Sequence, residues 1–254
     1  MAARKLELQI RPVWGFPSLL IDGDERYLLI ADLHLGFEEN LRKKGIYIPD
    51  QSRDLAMDAV NIARSCDAKK LIVLGDLKER IGSHKRTEER INQAISLWLQ
   101  FFDRIIVIKG NHDGLLERMV PREVEVVGSQ GTVIEGVGLF HGHSWPSDDV
   151  LNSRYLIMAH LHPAVLMEDE NLRELVRVFV FSRVKLQGRR EKKRAIIMPA
   201  FNKFLGSALL NKGEVPKNYR GPIFSHGTID LRESDIFTLD GFYLGRLSDL
   251  YIQQ

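Results

Sequence analysis

Leu28-Leu29-Ile30-Ala31-Asp32-Leu33-His34 is an apolar run of strand length that stops on a carboxylate and an imidazole. The construction recurs four times: Leu71-Ile72-Val73-Leu74-Gly75-Asp76-Leu77, Ile105-Ile106-Val107-Ile108-Lys109-Gly110-Asn111-His112-Asp113, Val137-Gly138-Leu139-Phe140-His141-Gly142-His143, and Tyr155-Leu156-Ile157-Met158-Ala159-His160-Leu161-His162. A continuous apolar run of this length reads as a buried strand. In open α/β sheets, ligands gather in the crevice beyond the carboxyl ends of the strands. A single Asp or His after a strand is ordinarily a cap or a turn residue. Five runs ending alike predict one shared site.

The residue types define the chemistry of that site. Carboxylate, imidazole and one amide oxygen, without thiolate, suit a borderline divalent ion such as manganese, iron, nickel or zinc, and suit calcium poorly. Structural zinc cages are four-coordinate and rich in cysteine, whereas seven or more candidate ligands here are enough for two ions. Two ions roughly 3.5 to 4 Å apart can hold both oxygens of an in-line displacement at phosphorus and bring a bound water to a pKa near 7. That combination hydrolyses phosphate esters.

Working outward, Leu6 to Ile10, Leu19 to Ile21 and Tyr27 to Ala31 read as strands. Ser52 to Ser65 starts on Ser and carries Leu55, Ala56, Ala59, Val60, Ile62 and Ala63 at helical spacing. Lys69 to Leu74 returns as a strand. A helix opens at Thr87, with acidic residues in its first turn and Ile91, Ala94, Ile95, Trp98 and Leu99 as its apolar stripe. A strand follows from Arg104 to Lys109. This strand–helix alternation predicts crossover units and an α/β fold. Beyond Asp113, Val124 to Val127, Thr132 to Ile134, Val137 to Phe140 and Tyr155 to Ala159 are short and separated by turns, which predicts an antiparallel second sheet facing the first.

Composition narrows the class. The 254 residues, 44% hydrophobic and 28% charged, suffice for one large core, so a single domain over 1–254 is expected. No stretch approaches the roughly 18 uninterrupted apolar residues of a membrane span, and the N-terminal segment lacks a signal-peptide apolar region. The lone cysteine, Cys66, excludes an internal disulfide framework and is expected to be an inert half-buried thiol. A cytoplasmic location is the expectation.

As a set, Asp32-Leu33-His34, Gly75-Asp76-Leu77-Lys78-Glu79, Gly110-Asn111-His112-Asp113, His141-Gly142-His143 and His160-Leu161-His162 resemble the five motifs of the calcineurin-like metallophosphoesterases. Ala31 to Glu38 resembles the start of the SbcD-type DNA repair nucleases. With the C-terminal Met198-Pro199-Ala200-Phe201-Asn202, the chain is similar to the compact prokaryotic branch that includes DNA-ligase-associated phosphoesterases. The resemblance implies a four-layer αββα sandwich of two facing mixed sheets with flanking helices and a dinuclear metal site at the strand ends. It implies that Asp32, His34 and His162 hold one metal, that Asn111, His141 and His160 hold the other, and that Asp76 bridges them. Manganese is the first expectation, ahead of iron, nickel or zinc. His112 is implied as general acid or charge stabiliser rather than a primary ligand. Glu79 is expected to orient that histidine, with Asp113 as the alternative orienter. His143 stands open between site wall and hydrogen-bonded loop residue, while His84 and His226 lie outside the motifs and are expected to be solvated or locally bonded.

Net charge is only +2, from 36 basic against 34 acidic residues, so affinity for nucleic acid must come from local clustering. Arg183-Val184-Lys185-Leu186-Gln187-Gly188-Arg189-Arg190-Glu191-Lys192-Lys193-Arg194, between the strand-like runs Val176 to Phe181 and Ala195 to Phe201, reads as a basic hairpin tip. It could contact DNA or RNA phosphates or serve as a solvated edge that deters strand pairing. Arg42, Lys43 and Lys44 could line the same entrance or cover a helix surface. The expected activity is hydrolysis of phosphate esters, foremost phosphodiesters of nucleic acid or nucleotides. The alternatives are a non-catalytic scaffold with this fold and a subunit that needs DNA repair proteins as partners.

Overall fold

The computed structural model describes residues 7–79, 85–169, 173–185, 193–213, 215–216 and 219–252. Its first sheet has six strands in sequence order: β1 (Gln9–Pro12), β2 (Leu19–Asp22), β3 (Arg26–Ile30), β4 (Lys70–Leu74), β5 (Arg104–Ile108) and β6 (Val124–Val127). The first three pair antiparallel. From β3 to β6 the pairing is parallel, with Leu29 beside Ile72 and Ile72 beside Ile106.

Alternation along these strands decides what each face buries. Leu28, Ile30, Leu71, Val73, Ile105 and Val107 face α2 (Ser52–Ser65) and α3 (Lys85–Leu99), where they meet Leu55, Ala59, Ile62, Ile91, Ala94 and Trp98. Trp98 is wholly buried, and its indole N–H donates to the Ala56 carbonyl at 3.1 Å, tying the two helices together. The intervening residues Leu29, Ile72, Leu74, Ile106 and Ile108 face the other way, into an apolar layer shared with a second sheet.

That second sheet follows the order β13 (Ala208–Leu209), β10 (Pro163–Glu168), β11 (Arg173–Val184), β12 (Lys193–Ile197), β9 (Tyr155–Met158), β8 (Val137–Leu139), β7 (Thr132–Ile134). A branch of β14 (Asp235–Thr238) and β15 (Tyr243–Arg246) pairs with β11. Val137, Leu139, Ile157, Phe179, Ile196 and Met198 form its inner face. Phe140, Leu156, Met158, Val178, Val180 and Ile197 form the outer one. The outer face is closed by α4 (Asp148–Asn152), α5 (Pro222–Ser225) and single 3-10 turns through Val150, Leu210, Ile223 and Leu247. The architecture is a four-layer αββα sandwich whose fourth layer is one of short helices and turns.

Two sequence expectations are corrected. Val124–Val127 belongs to the first sheet, parallel to β5, and β8, β9 and β12 run parallel to one another. Parallel neighbours need a crossover of a dozen or more residues, and the connections 109–123 and 140–154 supply them. Short strands and glycine turns misread as hairpins because the spacing of turns does not reveal which strands meet.

The basic segment is flanked, as expected, by the antiparallel pair β11 and β12. Arg183 and Arg194 are exposed cross-strand neighbours. Lys193 is not part of a solvated tip: it is buried, and its ammonium donates to the Leu151 carbonyl. The remainder, 186–192, lies outside the described residues. Arg42, Lys43 and Lys44 are exposed at the end of α1 (Phe37–Lys43). Among the described residues, no helix is long and apolar enough to cross a membrane.

Candidate metal centre

The loops beyond β3, β4, β5, β8 and β9 converge at one end of the sandwich. The parallel ladder runs on past the strands: Asp32 N–H donates to Gly75 O at 3.1 Å, His34 N–H to Asp76 O at 2.9 Å and Leu35 N–H to Leu77 O at 2.9 Å. To turn their side chains into the cleft, Asp32, His34, Asp76, His160 and His162 adopt φ between 46° and 67°. These are five of the eight non-glycine residues with positive φ among the described residues. Left-handed backbone costs an L-residue about 1–2 kcal/mol, so the clustering marks a site that the rest of the fold holds under strain.

Two glycines make room for these side chains. Gly75, at φ 88°, lies under His141, whose Nδ1 would be 2.1 Å from any Cβ placed there. A Cβ at Gly110 would strike Asp76 Oδ1 at 2.1 Å. Neither position admits a side chain.

Four imidazoles are aimed through their Nδ1 atoms. His34 Nδ1 meets the Glu79 carboxylate at 2.6 Å. His141 Nδ1 donates to Leu74 O at 2.8 Å, His162 Nδ1 to Gly206 O at 3.0 Å, and His112 Nδ1 to Glu79 O. With Nδ1 committed as donor, each ring turns a bare Nε2 lone pair to the cleft. Histidines that bind metals are oriented by this kind of outer hydrogen bond.

Those lone pairs face other acceptors. His162 Nε2 is 3.3 Å from Asp32 Oδ1, His141 Nε2 is 3.3 Å from Asp76 Oδ2, and His34 Nε2 is 3.4 Å from the same Oδ2. Both Asp32 oxygens, His34 Nε2 and His141 Nε2 are buried without a hydrogen-bond partner. Burying acceptors against acceptors is costly unless a cation sits between them. Two ligand atoms each about 2.1 Å from one ion stand about 3.0–3.4 Å apart, which is the spacing found. The candidate ligand atoms of Asp32, His34 and His162 lie within 4.8 Å of one another, as do those of Asp76, His141 and His160. The residues fit a pair of divalent ions.

Without ions, protons take their place. Burial opposes protonation of His141, but the carboxylates of Asp76 and Asp32 outweigh it and push the imidazole up to about 9. His162 is likewise raised against burial, by Asp32. Burial and the neighbouring His141 push His160 down to about 3 and His143 down to about 4. Burial also works against ionisation of Asp76, yet His141 and His34 hold its carboxylate well below the usual range. A histidine whose pKa is raised keeps its proton as pH rises past 6.5, and a metal can bind only by displacing it. Titrating manganese into the metal-free protein at about pH 8 is expected to release about one to two protons. Isothermal titrations in buffers of different ionisation enthalpy measure this; enthalpies independent of buffer would contradict it.

The remaining site residues of the sequence reading divide as follows. Asn111 is exposed on the wall of the cleft, and the ligand nitrogen of His112 lies within 4.8 Å of ligand atoms of both His34 and Asp76. The expected carboxylate pairing of Glu79 with His112 is corrected: the Glu79 carboxylate engages His34 and the Asn40 amide, and it is the backbone carbonyl of Glu79 that orients His112. Asp113 does not touch the His112 ring. It is wholly buried and accepts from the backbone N–H groups of Gly110, Leu77 and Lys78. His143 packs against His141 and His160, with its Nδ1 buried and unpartnered. His226 is an exposed helix-end residue bonded to Pro222 O, as expected, and His84 lies outside the described residues.

Other contributors went unread. Phe37, Leu205, Gly206 and Tyr219 complete the walls of a cleft of about 270 Å³. The Met198–Asn202 motif is a strap under the first loop: Phe201 N–H donates to Ala31 O at 2.8 Å and the Asn202 amide to Leu33 O at 3.0 Å. Arg177 holds the strap from behind through Ala200 O at 2.8 Å. A backbone carbonyl such as Gly206 O leaves no trace in residue type, whereas the strap could have been suspected from its motif.

A sandwich of this topology gathers two carboxylate–imidazole triads at its strand ends, a donor set suited to divalent metal ions. The profile of the calcineurin-like phosphoesterases matches residues 25–187, more than half of the chain, and the protein belongs to that family. Among solved structures, it is similar to Pseudomonas putida nuclease MPE, with a TM-score of 0.54 and 19% identity over 94% of this chain and 100% of that one. It is also similar to YfcE, a phosphoesterase from E. coli, at 16% identity and a TM-score of 0.33 over 58% of this chain and 75% of that one. A search of curated proteins finds no match.

Proposed function

We infer that the protein is a hydrolase of phosphate esters working with two divalent ions, foremost manganese, and that its substrates are phosphodiesters of nucleic acid or nucleotides. The observation that carries this reading is the pair of buried acceptor triads opening on one cleft with His112. Asp32, His34 and His162 would hold one ion, Asn111, His141 and His160 the other, with Asp76 between. Bound there, the ions supply Lewis acidity at phosphorus and an activated water as nucleophile.

The chain's own residues do the rest. Glu79, Leu74 O and Gly206 O keep His34, His141 and His162 turned to the cleft. His112, held by Glu79 O, presents Nε2 to the opening, and when doubly protonated it donates a proton to the departing ester oxygen. The similarity in fold to a protein described as a nuclease supports a nucleic-acid substrate; the exposed Arg183 and Arg194 lie beside Tyr155, at the end of β9 away from His160, and would meet only a nucleic acid long enough to run past the cleft. The intact ligand set weighs against the scaffold alternative. A lone half-buried Cys66 suits a reducing compartment such as the cytoplasm.

Bis-p-nitrophenyl phosphate and end-labelled single- and double-stranded DNA, assayed in manganese and after chelation, test the reading. Turnover that vanishes on chelation and returns with manganese is expected. Inactivity of protein verified to hold two ions would instead leave the fold as a binding scaffold.

A further inference from the structure

The loop that carries Asn111 and His112 is bound to the loop that carries Asp76 and Glu79 by two buried side chains, Lys78 and Asp113, that belong to neither the triads nor the cleft wall. Lys78 follows Asp76 by two residues, yet its side chain points inward and is wholly excluded from solvent. Lysines are almost never fully buried unless paired. Its ammonium donates to His112 O at 2.7 Å. Asp113, equally buried, caps the N–H groups of Gly110, Leu77 and Lys78, and burial together with the nearby Asp76 pushes its carboxyl up. His112 N–H in turn donates to Asp76 Oδ1 at 2.9 Å, and His112 Nδ1 to Glu79 O. The N–H, the C=O and the ring of His112 are therefore all held by residues 76–79, with Lys78 supplying the contact to its carbonyl.

We propose that Lys78 is a positioning residue that sets where the His112 imidazole stands relative to the ester oxygen it protonates. The proposal rests on the hydrolase reading for its kinetic expression. Lys78 touches neither substrate nor metal on this view. It acts through the peptide carbonyl of His112, and a misplacement of a reacting group on the order of 1 Å costs about a hundredfold in rate.

Lys78→Met removes the ammonium and keeps the apolar stem. With phenyl esters, whose leaving oxygen needs a proton, kcat is expected to fall about a hundredfold with KM little changed, while p-nitrophenyl esters lose less than about threefold. Metal content should stay at two ions per chain. In a His112→Gln background, Lys78→Met should add nothing to the leaving-group dependence. Lys78→Gln, which keeps an N–H for the carbonyl, should be intermediate. Solvent exchange of the His112 Nδ1–H, followed by nuclear magnetic resonance in the metal-free protein, should accelerate in Lys78→Met. Equal losses on both ester classes, additivity with His112→Gln, or loss of fold in both Lys78 variants would overturn the proposal. If wild-type protein hydrolyses nothing, the hydrolase reading fails by itself; unchanged His112 exchange in Lys78→Met would then sink the positioning role as well.

Discussion

Asp76→Asn is expected to abolish manganese-dependent ester hydrolysis while the protein stays folded. The two carboxylate oxygens of Asp76 do different work. Oδ1 accepts the His112 N–H at 2.9 Å, and an asparagine carbonyl can accept it equally well. Oδ2 lies 3.3 Å from His141 Nε2 and 3.4 Å from His34 Nε2, at the seam between the two triads. No other described carboxylate is shared by two of the candidate ligand groups. Replacing that oxygen with an amide N–H sets a donor where a cation must sit. If bridging by Oδ2 secures several kcal/mol of transition-state stabilisation, at about 1.4 kcal/mol per factor of ten the rate falls about a thousandfold or more. Metal analysis should drop from two ions to one or none, and the melting temperature of the metal-free protein should move by only a few degrees. Two retained ions with a rate within tenfold of wild type would remove Asp76 from the bridging role.

How much of this was legible beforehand depended on what kind of group does each job. The helix Ser52–Ser65 and strands β3 to β5 were readable because an amphipathic stripe and an unbroken apolar run each have one cheap way to be buried. The ends of the five runs were readable because buried carboxylates and imidazoles need a reason to be there. Sheet membership of Val124–Val127 was not, since nothing in four β-branched and acidic residues says which neighbour they pair with. Glu79 was placed correctly in the cleft but paired wrongly: its spacing from Asp76 brings it to the site, while the register of Leu35 against Lys78 decides that its carboxylate falls beside His34. Lys78, in the middle of a recognised motif, carries no sign of its burial in the sequence, because lysine is almost always exposed. Its contact with a peptide carbonyl far along the chain, that of His112, reveals otherwise.

The same geometry makes a second large effect, and it separates two roles for one residue. His112 offers its ligand nitrogen within 4.8 Å of those of His34 and Asp76, so distance alone would let it serve as a metal ligand. Its mounting argues otherwise. His34 and His141 have Nε2 atoms buried and without partners, as ligands awaiting a cation do, whereas His112 is half-buried at the mouth of the cleft beside Asn111. A proton donor must reach the leaving oxygen and recover its proton from solvent, which needs that exposure. His112→Gln retains similar reach but cannot transfer a proton. On phenyl esters kcat is expected to fall about 10²- to 10⁴-fold, the usual worth of a positioned general acid. On p-nitrophenyl esters, which leave without help, the loss should be much smaller. Two ions per chain should remain bound throughout. If instead the variant loses an ion and its rate falls equally for every leaving group, His112 is a ligand. The proton would then have to come from solvent or from another group on the cleft wall, such as the Tyr219 hydroxyl, whose pKa is raised by burial and by the nearby Asp32.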